Sequence, residues 1–229
     1  MDSSLPYHVI RTRRRKRTLS LCIEKDGTVL IRVPWRTPTA EIERFFVGRK
    51  AWIRKKLAER SLEPQEHGPK AFVAGETFLY LGGSYPLEIV QNGSSDLPFR
   101  FVDERFLLRE DHRASARELF VNWYKREAES IIRRRLKAYG DTMEISPRRE
   151  RISSARYRWG GCSSKDVLSF SWRLVMAPMG VVDYVVVHEL AHVREKNHSP
   201  RFWRLVETTL PDYSARRDWL KKHGDVLTL

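Results

Sequence analysis

His188, Glu189 and His192 stand in the run Val185-Val-Val-His-Glu-Leu-Ala-His192. Two residues four apart lie about 400° around an α-helix, one turn plus about 40°, so both imidazoles project from one face. Such a face can hold a single Zn²⁺ ion. Glu189 follows the first histidine directly, where its carboxylate reaches a water on the metal rather than the metal itself. Zinc lowers the pKa of that water towards about 7, and a neighbouring carboxylate can take its proton and later hand it to a leaving amine. H-E-x-x-H fixes only three positions, and chance matches are common. The context argues against chance here. Val185 to Val187 and Leu190 read as a buried helix, where a carboxylate is costly unless paired or linked to a metal. The competing reading is a core helix with two satisfied histidines.

A catalytic zinc usually has three protein ligands and one open position. His198 follows His192 by six residues, about 240° away on a continuous helix, so the helix must end first. Asn197 tolerates a left-handed backbone, and Ser199-Pro200 reads as the N-cap and first position of a new helix. His198 then sits in a tight turn able to swing back over the metal. The spacing is that of the metzincins, but Glu195 stands where those enzymes have glycine, and Met176 and Met179 precede the motif, so no downstream Met-turn follows. Glu195 and Glu207 are rival third ligands, with solvated helix faces as their ordinary explanation. His198 is the expected ligand.

These residues need elements to position them. The zinc helix is expected over about 181–196, with short helices at 200–210 and 213–223. Val167 to Val175 alternates and predicts a strand that could present an edge to a substrate peptide beside the metal; an ordinary sheet strand explains it as well. A strand is also expected near 152–159. A long helix is expected from about Asp111 to Tyr139, and short strands over 72–108. Residues 7–33 read as a hairpin with a turn at Lys25-Asp-Gly27, followed by one helix from Thr37-Pro38 to about Arg60 with Trp52 on its apolar face. The fold class is α+β: a β-rich N-terminal region with one helix over 1–110, then a zincin-like metallopeptidase domain with a mixed sheet and an active-site helix over 111–229, with one continuous domain as the alternative.

Composition bounds the rest. The chain has 229 residues, 41% hydrophobic, enough for a real core. Lys+Arg 43 against Asp+Glu 29 leaves +14, a balance that suits contact with polyanions. Two cysteines, Cys22 and Cys162, make no disulfide framework and point to a reducing compartment. The N-terminus shows no apolar signal segment, and no run approaches about 18 apolar residues. The expected setting is the cytoplasm, without membrane contact. No feature of the sequence specifies an oligomeric state.

With these residues in place the chain resembles the YgjP-like zinc metallopeptidases, zincins related more distantly to the SprT-like proteases. The resemblance is carried by Arg158-Trp-Gly-Gly-Cys-Ser-Ser164, Leu168 to Val175, Asp183 to His192, Asn197-His-Ser-Pro-Arg-Phe-Trp203 and Pro211-Asp-Tyr213. Thr18 to Leu21 and Gly75 to Gly82 fit as well, so it covers most of the chain. It implies zinc held by His188, His192 and His198, Glu189 as the base, and a peptide or protein substrate. The chain departs from the family at Gly161, where W-G-S-C has serine, and at Ser171, where asparagine is common. Cys162 is a candidate fourth ligand or inhibitory thiolate, with a small buried residue as the simpler reading. Tyr213, Arg201 and Tyr184 are candidate oxyanion donors. His8, His67, His112 and His223 lack ligand spacing.

Two basic clusters remain. Arg13, Arg14, Arg15, Lys16 and Arg17 form the denser one and are candidates for nucleic-acid or phosphate contact; a solvated strand explains them equally. Arg133 to Lys137 fits a solvated helix face better. Aromatic residues do not interleave with the arginines, so base stacking has no support. Two further readings follow from the charge: a metal-dependent hydrolase of nucleotide phosphoanhydrides, and a nucleic-acid-associated protease or binding module.

Overall fold

Val29, Ile31 and Val33 are fully buried and alternate with half-buried neighbours, a period of two that gives one strand a dry face. The structure, a computed structural model, describes residues 5–13, 17–23, 28–61, 70–91, 97–156 and 158–229, with no side chains described for 58–61. The chain divides into two compact units, 1–66 and 67–229.

The first unit holds strands β1 (Tyr7–Thr12), β2 (Ser20–Ile23) and β3 (Val29–Pro34) in the order β1-β3-β2. β2 and β3 pair antiparallel as the hairpin reading expects, and β1 joins β3 in parallel. The expected turn at 25–27 lies outside the described residues. The single helix expected over 37–60 is two, α1 (Thr39–Val47) and α2 (Lys50–Ser61). They part at Gly48, where the Arg49 N–H turns back to Phe46 O, a tighter bond than the helical one. Ile42, Phe46 and Ile53 close the core over β3, whereas Trp52 is 46% exposed.

The second unit begins with β4 (Thr77–Tyr80), β5 (Gly83–Val90), β6 (Phe99–Val102) and β7 (Arg105–Arg109), in the order β4-β5-β7-β6. The long helix α3 (Ala116–Met143) follows a 3₁₀ turn at Glu110–Ser115. Phe78 and Phe106 lie 4.1 and 5.1 Å from the ring of Phe120 on α3, so these strands and α3 share one core. The boundary expected at 110/111 therefore falls inside this unit.

Next come β8 (Arg149–Ser153), β9 (Gly160–Cys162) and β10 (Val167–Ser171), in the order β8-β10-β9. β10 is thus central, parallel to β8 and antiparallel to β9. The strand expected over 167–175 stops at Ser171, whose hydroxyl accepts from Arg173 N and starts a 3₁₀ turn, Trp172–Met176. An edge role for this segment is overturned: β9 and β8 are the edges. Three helices end the chain: α4 (Met179–Arg194), α5 (Pro200–Thr209) and α6 (Tyr213–His223). The architecture is α+β, with helices and mixed sheets. No helix among the described residues is long and apolar enough to cross a membrane.

Candidate metal centre

α4 is buried almost throughout, from Val181 to Val187 and from Glu189 to Ala191. A polar group inside it must therefore be paired or have another use. Asp183 is paired: Arg135 of α3 grips it with Nε and Nη2 at 2.5 and 2.7 Å, and Arg216 of α6 lies 3.9 Å away. That network ties three helices together around the segment carrying the histidines.

The helix ends at Glu195, which is extended (φ −121°, ψ 99°), two residues before the break expected at Asn197. Ser199 then caps α5 by accepting from Phe202 N, with Pro200 in the first turn, as its residue types predict. The short connection carries His198 back over α4.

His188, His192 and His198 come together, with one potential ligand atom of each within 4.8 Å of the others, and can hold a metal ion. The Nε2 atoms of His188 and His198 face each other at 3.1 Å. Two nitrogens held at about 2.0–2.1 Å on a tetrahedral ion stand about 3.3 Å apart, so the spacing fits such an ion. Protonation suits it too. Burial, then the neighbouring histidines and Arg217, pushes His188 down to about 3, and burial lowers His192, so the surroundings favour the neutral form of both rings. His192 Nδ1 donates to Glu195 O at 3.0 Å, which leaves Nε2 with its lone pair. The Tyr184 hydroxyl lies 3.5 Å from His188 Nδ1, one turn back along α4. Its hydroxyl thus meets the ring nitrogen that does not face His198. Phe202 and Trp203 wall the cluster, Trp203 stacking on His198 at 5.5 Å.

Glu189 is 5% exposed, and its Oε2 has no hydrogen-bond partner. Burial raises its pKa to about 7, against the pull of Arg158. A buried carboxylate oxygen without a partner, next to converging imidazoles, is what a metal-assisted base would leave. β9 presses on this group. A methyl at Gly160 would sit 2.5 Å from Glu189 Oε1, and one at Gly161 would sit 2.8 Å from the Arg158 guanidinium. Successive positions of a strand face opposite ways, so two glycines let a carboxylate and a guanidinium approach β9 from its two faces. Arg158 fills the volume beside Gly161.

The other candidates separate. The metal group among the described residues does not include Cys162, Glu195 or Glu207. Cys162 instead lies 3.5 Å from Lys196 Nζ, and burial raises its thiol pKa. Glu195 accepts from Ser199, and Glu207 is exposed. Tyr213 stacks on Trp203 at 5.4 Å, and Arg201 is exposed. His223 is held by Trp219 O, His112 lies 4.0 Å from Asp111, His8 is exposed, and His67 lies outside the described residues. Of the first basic cluster, Arg14, Arg15 and Lys16 lie outside the described residues; Arg13 packs over Trp35 at 5.4 Å, and Arg17 is exposed. In the second cluster Arg133, Arg135 and Lys137 are all ion-paired. Arg158 and Arg217 escaped the sequence reading. Arg158 opens the Arg158-Trp-Gly-Gly run, and only its glycine pair hints at the packing. Nothing local marks Arg217.

No curated protein matches the sequence. Among solved structures, the metallopeptidase zymogen abylysin of Pyrococcus abyssi is 21% identical, with a TM-score of 0.37 over 40% of this chain and 93% of its own. The model of the "YgjP-like, metallopeptidase domain" family matches residues 17–223. That range takes in the histidine cluster, Glu189 and β9, and the chain belongs to the YgjP-like metallopeptidase family.

Proposed function

We propose that the chain is a zinc peptidase in which His188, His192 and His198 hold the ion and Glu189 is the general base. The observation that carries this reading is the convergence of three imidazoles beside the buried, unpartnered oxygen of Glu189. The donor set suits zinc, which favours nitrogen ligands and leaves a fourth position open in catalytic sites. When bound, the ion supplies Lewis-acid polarisation and acidifies water. Its charge also favours the ionised form of Glu189.

The chain's own residues do the rest. Glu189 takes a proton from the attacking water through one carboxylate oxygen and returns it to the leaving amine. Tyr184 and the Glu195 carbonyl hold the two helical histidines in orientation. β9 is an edge strand against α4, so an extended peptide can pair with its open side and bring a scissile bond near Glu189. The glycines of β9 present backbone there and little side-chain selectivity. We place the enzyme in the cytoplasm, supported by its two free cysteines.

The deciding experiment is metal content by mass spectrometry, wild type beside His198→Ala. Stoichiometric zinc in the wild type and clear loss in the variant is the expected result. Metal-free wild type, freshly purified without chelator, would remove the proposal's foundation.

A further inference from the structure

A second open edge lies across the same sheet. β8 is the outer strand opposite β9, two strand spacings or roughly 10 Å from it. Between β8 and α3 runs a groove of about 440 Å³. Residues 149 to 152 of β8 all line it. Successive side chains of a strand point to opposite faces, so a groove touching four in a row follows the strand's edge, where its backbone groups point. Half-buried Ile152 supplies the apolar part of the floor, with Ile132 fully buried beside it.

The rim is cationic. Lys125 and Arg126 stand on α3 and Arg149 and Arg151 on β8, all four exposed. None of the four has an ion pair among the described residues. The groove also holds two carboxylates, Glu129 and Glu150, and both are engaged by Arg133, at 2.9 and 3.4 Å. Among the described residues, four cations without an ion pair lie beside a strand edge without a partner; these are two independent features, and one occupant satisfies both.

We propose that this groove docks an acidic, extended segment of a partner protein, added as a strand to the open edge of β8. Main-chain hydrogen bonds to β8 would give affinity, and carboxylates at alternate positions of the added strand would meet Arg149 and Arg151. Between them, an aliphatic side chain would cover Ile152. A nucleic acid uses only part of this equipment. The groove is lined by no aromatic side chain for bases to stack on, and a phosphate backbone has no donor–acceptor ladder for a strand edge. A flat anionic surface cannot enter the concavity. The proposal is independent of the metal: the groove lies at the far edge of the sheet from the histidines.

Fluorescence anisotropy tests it on the full chain carrying Glu189→Gln, which keeps peptide probes uncut. The probe is a labelled peptide of alternating Glu and Val. Comparators are the same peptide with Lys for Glu, the acidic peptide N-methylated at alternate residues, and a single-stranded DNA oligonucleotide. The acidic peptide should bind, with affinity falling as salt is added, and the Lys peptide should not. N-methylation keeps the charge but blocks strand pairing, and should weaken binding about tenfold or more. Arg149→Ser with Arg151→Ser should weaken it about five- to tenfold. In the Glu189-containing chain that double change should leave the cleavage rate of a short neutral peptide unaltered. Equal affinity for the N-methylated peptide would overturn strand addition. Undiminished binding to the double variant, or no binding of the acidic peptide at all, would overturn the groove. Tighter binding of DNA that is lost in the double variant would assign the groove to nucleic acid instead.

Discussion

The two edges of one three-stranded sheet are equipped in opposite ways. β9 reads Gly160-Gly-Cys162 and carries almost no side chain; β8 reads Arg149-Glu-Arg-Ile-Ser153 and is loaded with charge. Among the described residues both are outer strands, each with one side of its backbone facing no other strand. What differs is how closely other groups approach. At β9 the missing side chains let Glu189 and the Arg158 guanidinium pack against the strand. At β8 the arginines hold neighbours at arm's length and select for negative charge. Charged side chains also keep an open edge from pairing indiscriminately, which a glycine edge can do only if it is enclosed or used. One edge is therefore suited to chemistry and the other to recognition.

The comparison breaks first at Glu189. Replacing it with Gln should keep the metal and lower peptide hydrolysis by about 10²–10⁴-fold, the usual contribution of a general base. Steady-state kinetics with parallel metal analysis decides it; unchanged turnover would move the base elsewhere. Gly160→Ala is the next test. The added methyl forces Glu189 or β9 to shift, and a displacement of about 1 Å can cost about 10²-fold in rate. Zinc content should stay stoichiometric, since no ligand moves directly. A rate equal to wild type would show that β9 is not in close contact with the base.

Asp183→Asn leaves both edges untouched and attacks the frame between them. It weakens the Arg135 pair and leaves a guanidinium half-buried, which should destabilise the fold by about 2–4 kcal/mol, since Arg135 is partly solvated. Denaturant unfolding measures this, and a loss below about 0.5 kcal/mol would mean that the α3–α4 clamp is dispensable. The smallest effect is expected at the end of β9. Cys162→Ala removes a thiol outside the histidine cluster and should change activity by less than about twofold, within the range of ordinary surface changes. A large change in bound zinc would restore Cys162 as a ligand.

Local pattern carried much of the site. The i, i+4 histidines, the apolar face around them and the Ser199-Pro200 helix start are properties of adjacent residues, and helices α4, α5 and α6 lie close to where those signals put them. The break after α4 was legible in kind but came at Glu195, because the His192 ring bonds the Glu195 carbonyl and draws the chain out of the helix there. Other features had no local signal. Gly160-Gly161-Cys162 has neither the length nor the β-branched residues of a strand; it is one only because β10 pairs with it. The alternating run at 167–175 looked like the better edge, yet alternation reports two unlike faces and says nothing about lateral neighbours. Gly48 parted a helix whose apolar periodicity was continuous on both sides.

By itself the sequence marked the groups that could hold a metal, since helical periodicity and capping put His188 and His192 on one helix face, Glu189 beside the first of them and His198 in the turn that follows. Only the tertiary structure decided which strand faces Glu189, which cations lie free along β8, and that the strands of 77–109 share a core with α3. Those are matters of pairing between distant segments. Pairing depends on register and packing across the whole unit, and no local run of residues contains that information.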